Sequence, residues 1–224
     1  MFPLRSESLH TRTLSIAGLM LMASLCHRTD GLAFSMATSE VVVSNQDTCS
    51  VSAYEINGNG SPTGVERTVA DPYSSNTCDE GDDISVRGIA FDSAGFLYEA
   101  VEETGVIVLN FTTGEQVALL SCDDCIGVVY DTATDTLFAG SNGDDAIYQF
   151  NVYPNLTKVR TFGGEDDGSG LAHPAGLAVY AGSLFVNSQD TNSILKYNIT
   201  SGAFVGAILT DAPDKLEALI LSPC

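Results

Sequence analysis

The sequence predicts an all-β fold made of about four repeated units, each of them a four-stranded antiparallel sheet. Four segments align with one another without gaps and recur at intervals of roughly 40 to 55 residues. They span residues 39–56, 93–114, 134–151 and 181–202. Repeats of this length that consist of short strands are typical of a β-propeller, in which the sheets are blades around a common axis.

Each unit resolves into four strands separated by turn residues. The first strand is rich in small residues and occurs at 87–92, 126–131 and 175–180. Gly88, Gly127 and Gly176 recur in these strands, as expected where strands crowd together near an axis. Apolar residues occupy both faces of the second and third strands, which is what stacking between neighbouring blades would bury.

The segment FGGEDDGSGLAHPAGLAVYAGSLFVNSQDTNSILKYN (162–198) resembles a blade of the NHL-repeat family. It has the F-G approach, the proline, the G-L-A-V and L-F-V strands, the polar Asp/Asn-rich loop and the I-x-x-Y strand, and residues 92–98 resemble the D-x-x-G-x-L-Y turn of that family. The resemblance implies an NHL-like propeller domain over 34–224, in a family where six blades are common. Tyr180 replaces the usual acidic residue, and the basic residue before the third strand is missing, so nucleic-acid and protein-binding roles of the family do not transfer directly.

The two ends of the chain suggest how a ring of four blades closes. The N-terminal copy begins at its second strand, near Glu40, and the C-terminal segment 215–224 holds one apolar strand. We expect these two parts to complete one blade, so that the N- and C-terminal strands close the ring. The alternative is a partial ring of a larger propeller.

The first 33 residues predict a secretory signal peptide. Arg5 and Arg12 precede an apolar run from Leu14 to Cys26, which is too short to span a bilayer. Cleavage after Cys26 or after Ala33 satisfies the preference for small residues. Three N-x-T sequons also predict an extracellular, glycosylated protein; their asparagines are Asn110, Asn155 and Asn198.

The cysteines predict disulfides, because an exported protein folds in an oxidising compartment. Removal of the signal takes away Cys26. Cys122 and Cys125 enclose two acidic residues and are expected to form a local disulfide in a connection between blades. Cys49 and Cys78 are expected to pair, which leaves Cys224 as the unpaired thiol.

The chain carries 29 acidic and 9 basic residues, a net charge of −20. Such a field repels nucleic acid and anionic membranes, so the expected partners are basic proteins, cations or neutral ligands. In a propeller, the loops between second and third strands emerge on the same face as the connections between blades. More than half of the acidic residues fall in those loops: Asp47, Asp71, Asp79, Glu80, Asp82, Asp83, Glu102, Glu103, Asp123, Asp124, Asp144, Asp145, Glu165, Asp166, Asp167, Asp190, Asp211 and Asp214.

The polar loops raise the question of a metal site. Asp144, Asp145, Asn187 and Asp190 supply oxygen ligands of the kind that Ca²⁺ takes, at equivalent loop positions. No segment has the spacing of a dedicated calcium loop.

No catalytic residue can be assigned from the sequence. After removal of residues 1–33 His173 is the only histidine, and no G-x-S-x-G motif occurs. We therefore expect a secreted binding scaffold whose acidic face binds an extracellular protein or matrix component, with basic proteins among the expected partners. The alternative is a calcium-dependent hydrolase or lactonase of the gluconolactonase-like type, since that chemistry needs no histidine.

Overall fold

A computed structural model describes residues 29–70, 85–164 and 167–212, together with Leu216 and Leu219. In this part of the chain sixteen strands form four antiparallel sheets, numbered here in chain order. The first two sheets contain β1 Thr29–Ser35, β2 Glu40–Asn45, β3 Ser50–Ile56 and β4 Pro62–Ala70, then β5 Val86–Phe91, β6 Phe96–Val101, β7 Gly105–Asn110 and β8 Glu115–Leu120. The third and fourth contain β9 Cys125–Asp131, β10 Thr136–Ser141, β11 Ala146–Asn151 and β12 Lys158–Gly163, then β13 Pro174–Tyr180, β14 Ser183–Ser188, β15 Ser193–Asn198 and β16 Phe204–Leu209. The prediction of an all-β fold with four four-stranded sheets is confirmed.

The strands of each sheet follow one another in space as they do in sequence. The first strand is called innermost here because the first strands of successive sheets contact one another, as β1 contacts β5 and β5 contacts β9. Apolar cores then fill the space between successive sheets. One core joins Val42 of the first sheet to Ile89 of the second, and another joins Phe138 of the third to Leu177 of the fourth. The arrangement is propeller-like.

Burial across each sheet explains the residue pattern. Every residue of β2 and of β10 is buried, because the second strands are covered on both faces. The outermost strands are largely exposed and leave aliphatic side chains such as Val65 and Leu119 in contact with solvent. Apolar residues on both faces of the middle strands therefore reflect stacking between sheets, as predicted.

Glycines in the innermost strands permit the close approach of neighbouring sheets. A Cβ atom added to Gly88 would lie 2.8 Å from the carbonyl oxygen of Ile126 in the next innermost strand. At Gly127 the added atom would meet the carbonyl oxygen of Ala175. The predicted crowding is confirmed at these two positions, and Gly31 of β1 behaves in the same way against the carbonyl oxygen of Arg87.

The predicted composition of the first sheet is wrong. Its innermost strand is β1, which precedes Glu40 and pairs with β2 from Ser35↔Glu40 onward, so no strand from the C-terminal segment is needed to complete it. Among the described residues, each sheet contacts the next one along the chain, from the first to the second, the second to the third and the third to the fourth. No comparable contact joins the fourth sheet to the first in this part of the chain. The C-terminal segment lies outside the described residues except for Leu216 and Leu219.

β1 also bears on the predicted signal peptide. The strand begins at Thr29, inside the segment 1–33 that the sequence assigns to the signal. Cleavage after Cys26 would leave β1 whole, whereas cleavage after Ala33 would remove most of it. Of the two predicted cleavage positions, only the first is compatible with a complete first sheet.

In the described part of the chain, no helix has the length and apolarity that crossing a membrane requires.

Candidate interaction face

The turns between second and third strands meet the connections between sheets at one end of the molecule, which we call the loop face. The backbone N–H of Asn142, in the β10–β11 turn, donates to the carbonyl oxygen of Asp124 in the β8–β9 connection at 3.0 Å. The N–H of Gln189, in the β14–β15 turn, donates to the carbonyl oxygen of His173 in the β12–β13 connection at 3.1 Å. Blade topology predicts this meeting of loops, because strands in an antiparallel sheet alternate in direction. The remaining turns form the opposite end, called the hairpin face.

Side-chain hydrogen bonds hold the loop face rigid between the third and fourth sheets. The Tyr148 hydroxyl donates to the carboxylate of Asp144. The backbone N–H of His173 donates to Asp145 Oδ1 at 2.7 Å, and His173 Nε2 lies 2.9 Å from Asn142 Nδ2. Burial, together with the bond to Asp144, raises the pKa of Tyr148 to about 12, so the phenol keeps its proton at neutral pH.

Acidic side chains line the loop face. In the described residues they are Glu102, Glu103, Asp123, Asp124, Asp144, Asp145, Asp167, Asp190 and Asp211. All are exposed except Glu102 and Asp124, which are half-buried. Of the other acids predicted for this face, the side chain of Asp47 and the residues Asp71, Asp79, Glu80, Asp82, Asp83, Glu165, Asp166 and Asp214 lie outside the described part of the chain.

Basic residues neutralise this surface only slightly. Arg87 forms an ion pair with Glu102, with Nη2 and Oε1 2.5 Å apart. Arg67 pairs with Glu40, near the hairpin face, at 2.7 Å. Because most loop-face carboxylates have no basic partner among the described residues, the face has a strongly negative field.

The four residues predicted as calcium ligands have different environments. Asp144 and Asp145 accept the hydrogen bonds from Tyr148 and His173, and Asp190 is exposed in the β14–β15 turn. Asn187 is 1% exposed, and both polar atoms of its amide lack a partner. Within the described ranges no three His, Cys, Asp or Glu side chains form a group that could hold a metal ion. The calcium site stays a prediction.

Disulfides stabilise the loop face. Cys122 and Cys125 are bonded in the β8–β9 connection, with their Cα atoms 5.7 Å apart, so the predicted local disulfide is confirmed. Cys49, which follows the 3₁₀ turn Gln46–Thr48, is buried and disulfide-bonded. Cys78, its predicted partner, and Cys224 lie outside the described residues. The pairing of Cys49 with Cys78 therefore stays a prediction.

The three sequon asparagines lie at the hairpin face: Asn110 and Asn198 end the third strands β7 and β15, and Asn155 lies in the turn between β11 and β12. Asn155 and Asn198 are exposed, and Asn110 is half-buried. Asn110 Oδ1 accepts the N–H of Thr112 at 3.1 Å, and Asn198 Oδ1 accepts the N–H of Ser201 at 2.8 Å. These turns leave the sequon threonines at the surface.

Sequence reasoning missed Glu99, a carboxyl group in the core between the first and second sheets. Glu99 is 0% exposed, lies opposite Ile89 and Ile107 in the sheet, and has no hydrogen-bond partner for either carboxylate oxygen. Burial raises its pKa to about 8. The repeat contained the signal, because Val43, Ala139 and Val186 occupy the same position in the other second strands.

Two comparisons with known proteins were negative. The chain matches no protein-family model, and no curated protein matches it significantly. The likeness of residues 162–198 to an NHL blade therefore stays a resemblance. What the structure defines is an all-β protein of four propeller-like sheets with an acidic loop face.

Proposed function

We propose that this chain is a secreted, acidic, NHL-like β-propeller that acts as a binding scaffold. Its loop face would bind an extracellular protein or matrix component of basic character, and neither nucleic acid nor a membrane would be its partner. The observation that carries the proposal is the concentration of exposed carboxylates on one rigid end of the molecule. Loops held by a rigid scaffold are where binding residues concentrate, and a one-sign field steers charged partners.

Three further features support secretion. The N-terminal segment has the composition of a signal peptide. The Cys122–Cys125 disulfide suits an oxidising compartment. All three sequons lie at the hairpin face, where glycans would leave the loop face free.

Removing four acidic charges from the loop face is expected to weaken binding to basic probes. The variant Glu103→Gln, Asp123→Asn, Asp190→Asn and Asp211→Asn removes four exposed charges from that face. Binding to immobilised poly-L-lysine and to lysozyme, measured by surface plasmon resonance at 50 mM salt, should weaken at least tenfold, a loss of about 1.4 kcal/mol. Because exposed charges are screened by salt, binding of the unaltered chain should also fall as salt rises.

A matched control removes the same number of charges elsewhere. Glu55→Gln, Glu66→Gln, Glu115→Gln and Asp135→Asn alter exposed acids away from the loop face. This control should bind nearly as well as the unaltered chain. Equal weakening in both variants would mean that net charge alone acts and that the loop face is not the binding site.

Each sequon is expected to carry a glycan when the chain is expressed in a glycosylating secretory host. Peptide-N-glycosidase treatment of the secreted protein should reduce its mass in steps that correspond to Asn110, Asn155 and Asn198. Replacing Thr200 by alanine keeps Asn198 and its turn but removes the sequon. The enzyme treatment should then lower the mass of this variant in two steps rather than three. A secreted protein with no mass change after treatment would contradict the proposed modification.

The calcium-dependent hydrolase or lactonase remains an alternative without a specific observation in its favour. Asp144 and Asp145 already accept protein hydrogen bonds, and Asn187 lies in a strand rather than in the loop with Asp190.

A further inference from the structure

The fourth sheet has one face that no described sheet covers. Phe185, the third residue of β14, is half-buried, whereas its equivalents Val42, Tyr98 and Phe138 are each 0% exposed. Those equivalents are covered by the next sheet along the chain, as Phe138 is covered by Leu177. Ile194 of β15 is half-buried for the same reason, although Val51, Val106 and Ile147 are each 0% exposed at its position. We call this surface the open face.

The environment of Asn187 indicates that the backbone of another innermost strand covers the open face. Its equivalent in β2, Ser44, donates from Oγ to the carbonyl oxygen of Arg87, in the next innermost strand, at 2.6 Å. At Gly140, the equivalent in β10, an added Cβ would lie 2.7 Å from the carbonyl oxygen of Pro174, again in the next innermost strand. Residues at this position are thus directed at the backbone of an innermost strand. Asn187 is 1% exposed and has no partner for its amide oxygen or nitrogen.

The C-terminal sequence repeats the innermost-strand pattern once more. ALILS (218–222) matches GLAFS (31–35), GIAFD (88–92), GVVYD (127–131) and GLAVY (176–180), with alanine in place of the glycine. Innermost strands start at the loop face, and Ala212 is held there, because its N–H donates to the carbonyl oxygen of Asn192 at 2.9 Å. Leu216 and Leu219, the described residues beyond Ala212, are half-buried.

We propose that residues 217–222 form a fifth innermost strand, packed on the open face of the fourth sheet. Ile89 and Leu177, which follow the glycine of their strands, pack toward the preceding sheet. Leu219 occupies the same position, and Leu221 lies two residues further along on the same side of the strand. Both would therefore pack on Phe185 and Ile194. The backbone of residue 217 would bond to Asn187, as the backbone of Arg87 bonds to Ser44. Ile220 would point away from the fourth sheet, as Ala90 and Val129 point away from the sheet before theirs.

The alternation within this segment supplies a test with an internal control. In the full chain, Leu219→Ser should lower the melting temperature by roughly 5 °C or more, because a buried leucine is lost. Ile220→Ser removes a side chain of equal size from the adjacent position and should lower it by no more than about 2 °C. Equal effects, or a larger effect of Ile220→Ser, would overturn the proposal.

Hydrogen exchange gives a second measurement that does not depend on point variants. Deleting residues 213–224 should increase amide exchange in β14 and β15, which lie under the proposed strand, and leave β6 and β7 protected. Unchanged exchange in β14 would overturn the proposal. A second copy of the chain could cover the open face instead. In that case the protein should sediment as a dimer, Phe185→Lys should dissociate it, and Leu219→Ser should have no effect. This outcome would also overturn the proposal.

Discussion

Replacing Glu99 by glutamine should stabilise the protein at neutral pH and remove the loss of stability that Glu99 causes as the pH rises from 4.5 to about 8. Glu99 is fully buried between the first two sheets, and neither carboxylate oxygen has a partner. A buried, unpaired carboxylate is costly, so the folded protein holds the group in its protonated form. Glutamine has nearly the same shape and cannot ionise.

The sign of the pH effect follows from the raised pKa. The pKa of Glu99 rises from 4.5 to about 8 on folding because burial disfavours the charged form. Below pH 4.5 both the folded and the unfolded states bind the proton, so ionisation of Glu99 does not lower the free energy of unfolding. Between 4.5 and about 8 only the unfolded state releases it, so stability is lost as the pH rises. At pH 7 the loss is about 3 kcal/mol.

Urea unfolding at pH 4.5, 6, 7 and 8 would measure the effect. The free energies of unfolding of the unaltered chain and of Glu99→Gln should differ least at pH 4.5, and the difference should grow until about pH 8. Glu103→Gln serves as the control, because it makes the same glutamate-to-glutamine substitution at an exposed position in the neighbouring turn. It should alter the free energy by less than about 0.5 kcal/mol. A constant difference between Glu99→Gln and the unaltered chain across this range would contradict the assignment.

Replacing Gly127 by alanine should destabilise the protein by about 3 kcal/mol or more, because the added methyl group has no space. The new Cβ would meet the carbonyl oxygen of Ala175 and lie 3.5 Å from Leu177 Cγ. Both atoms belong to β13, the innermost strand of the fourth sheet, so the third and fourth sheets would have to separate. The melting temperature should fall by roughly 10 °C.

Two other glycines set the scale for this effect. Gly88→Ala brings its Cβ to 2.8 Å from the carbonyl oxygen of Ile126 and should be less destabilising than Gly127→Ala. Gly64 has a φ of +86° with no atom within 4 Å, so Gly64→Ala should cost only the backbone strain, about 1 kcal/mol. In differential scanning calorimetry, we expect the melting temperature to fall most for Gly127→Ala, less for Gly88→Ala and least for Gly64→Ala. If Gly127→Ala were as mild as Gly64→Ala, the innermost strands could not be as close as the structure has them.

The elements that sequence reasoning predicted are those encoded by local patterns. Alternating apolar residues and turn residues repeat within each unit, so the number of sheets and their strands could be predicted. The Cys122–Cys125 disulfide could be predicted because its partners lie close together in sequence. β1 was missed because residues 29–33 follow closely on the apolar run Leu14–Cys26, which predicts a signal peptide extending to residue 33.

The candidate site was predicted less completely than the fold. The repeat placed the acidic loops at one end, and the described loops meet there. It did not show that Asp144 and Asp145 accept bonds from Tyr148 and His173. Those partners are chosen by contacts between side chains of adjacent loops and sheets, which spacing along the chain does not specify.

The repeating unit, its strand order and its acidic charge can be predicted from the chain alone, because each of these depends on neighbouring residues and on composition. Which faces of the sheets are covered depends on how the sheets pack: Glu99 is buried without a partner, whereas Phe185 is partly exposed in a strand of the same kind. Period-2 alternation directs a side chain to one face of a sheet, but a neighbouring sheet must be present to keep that face from water.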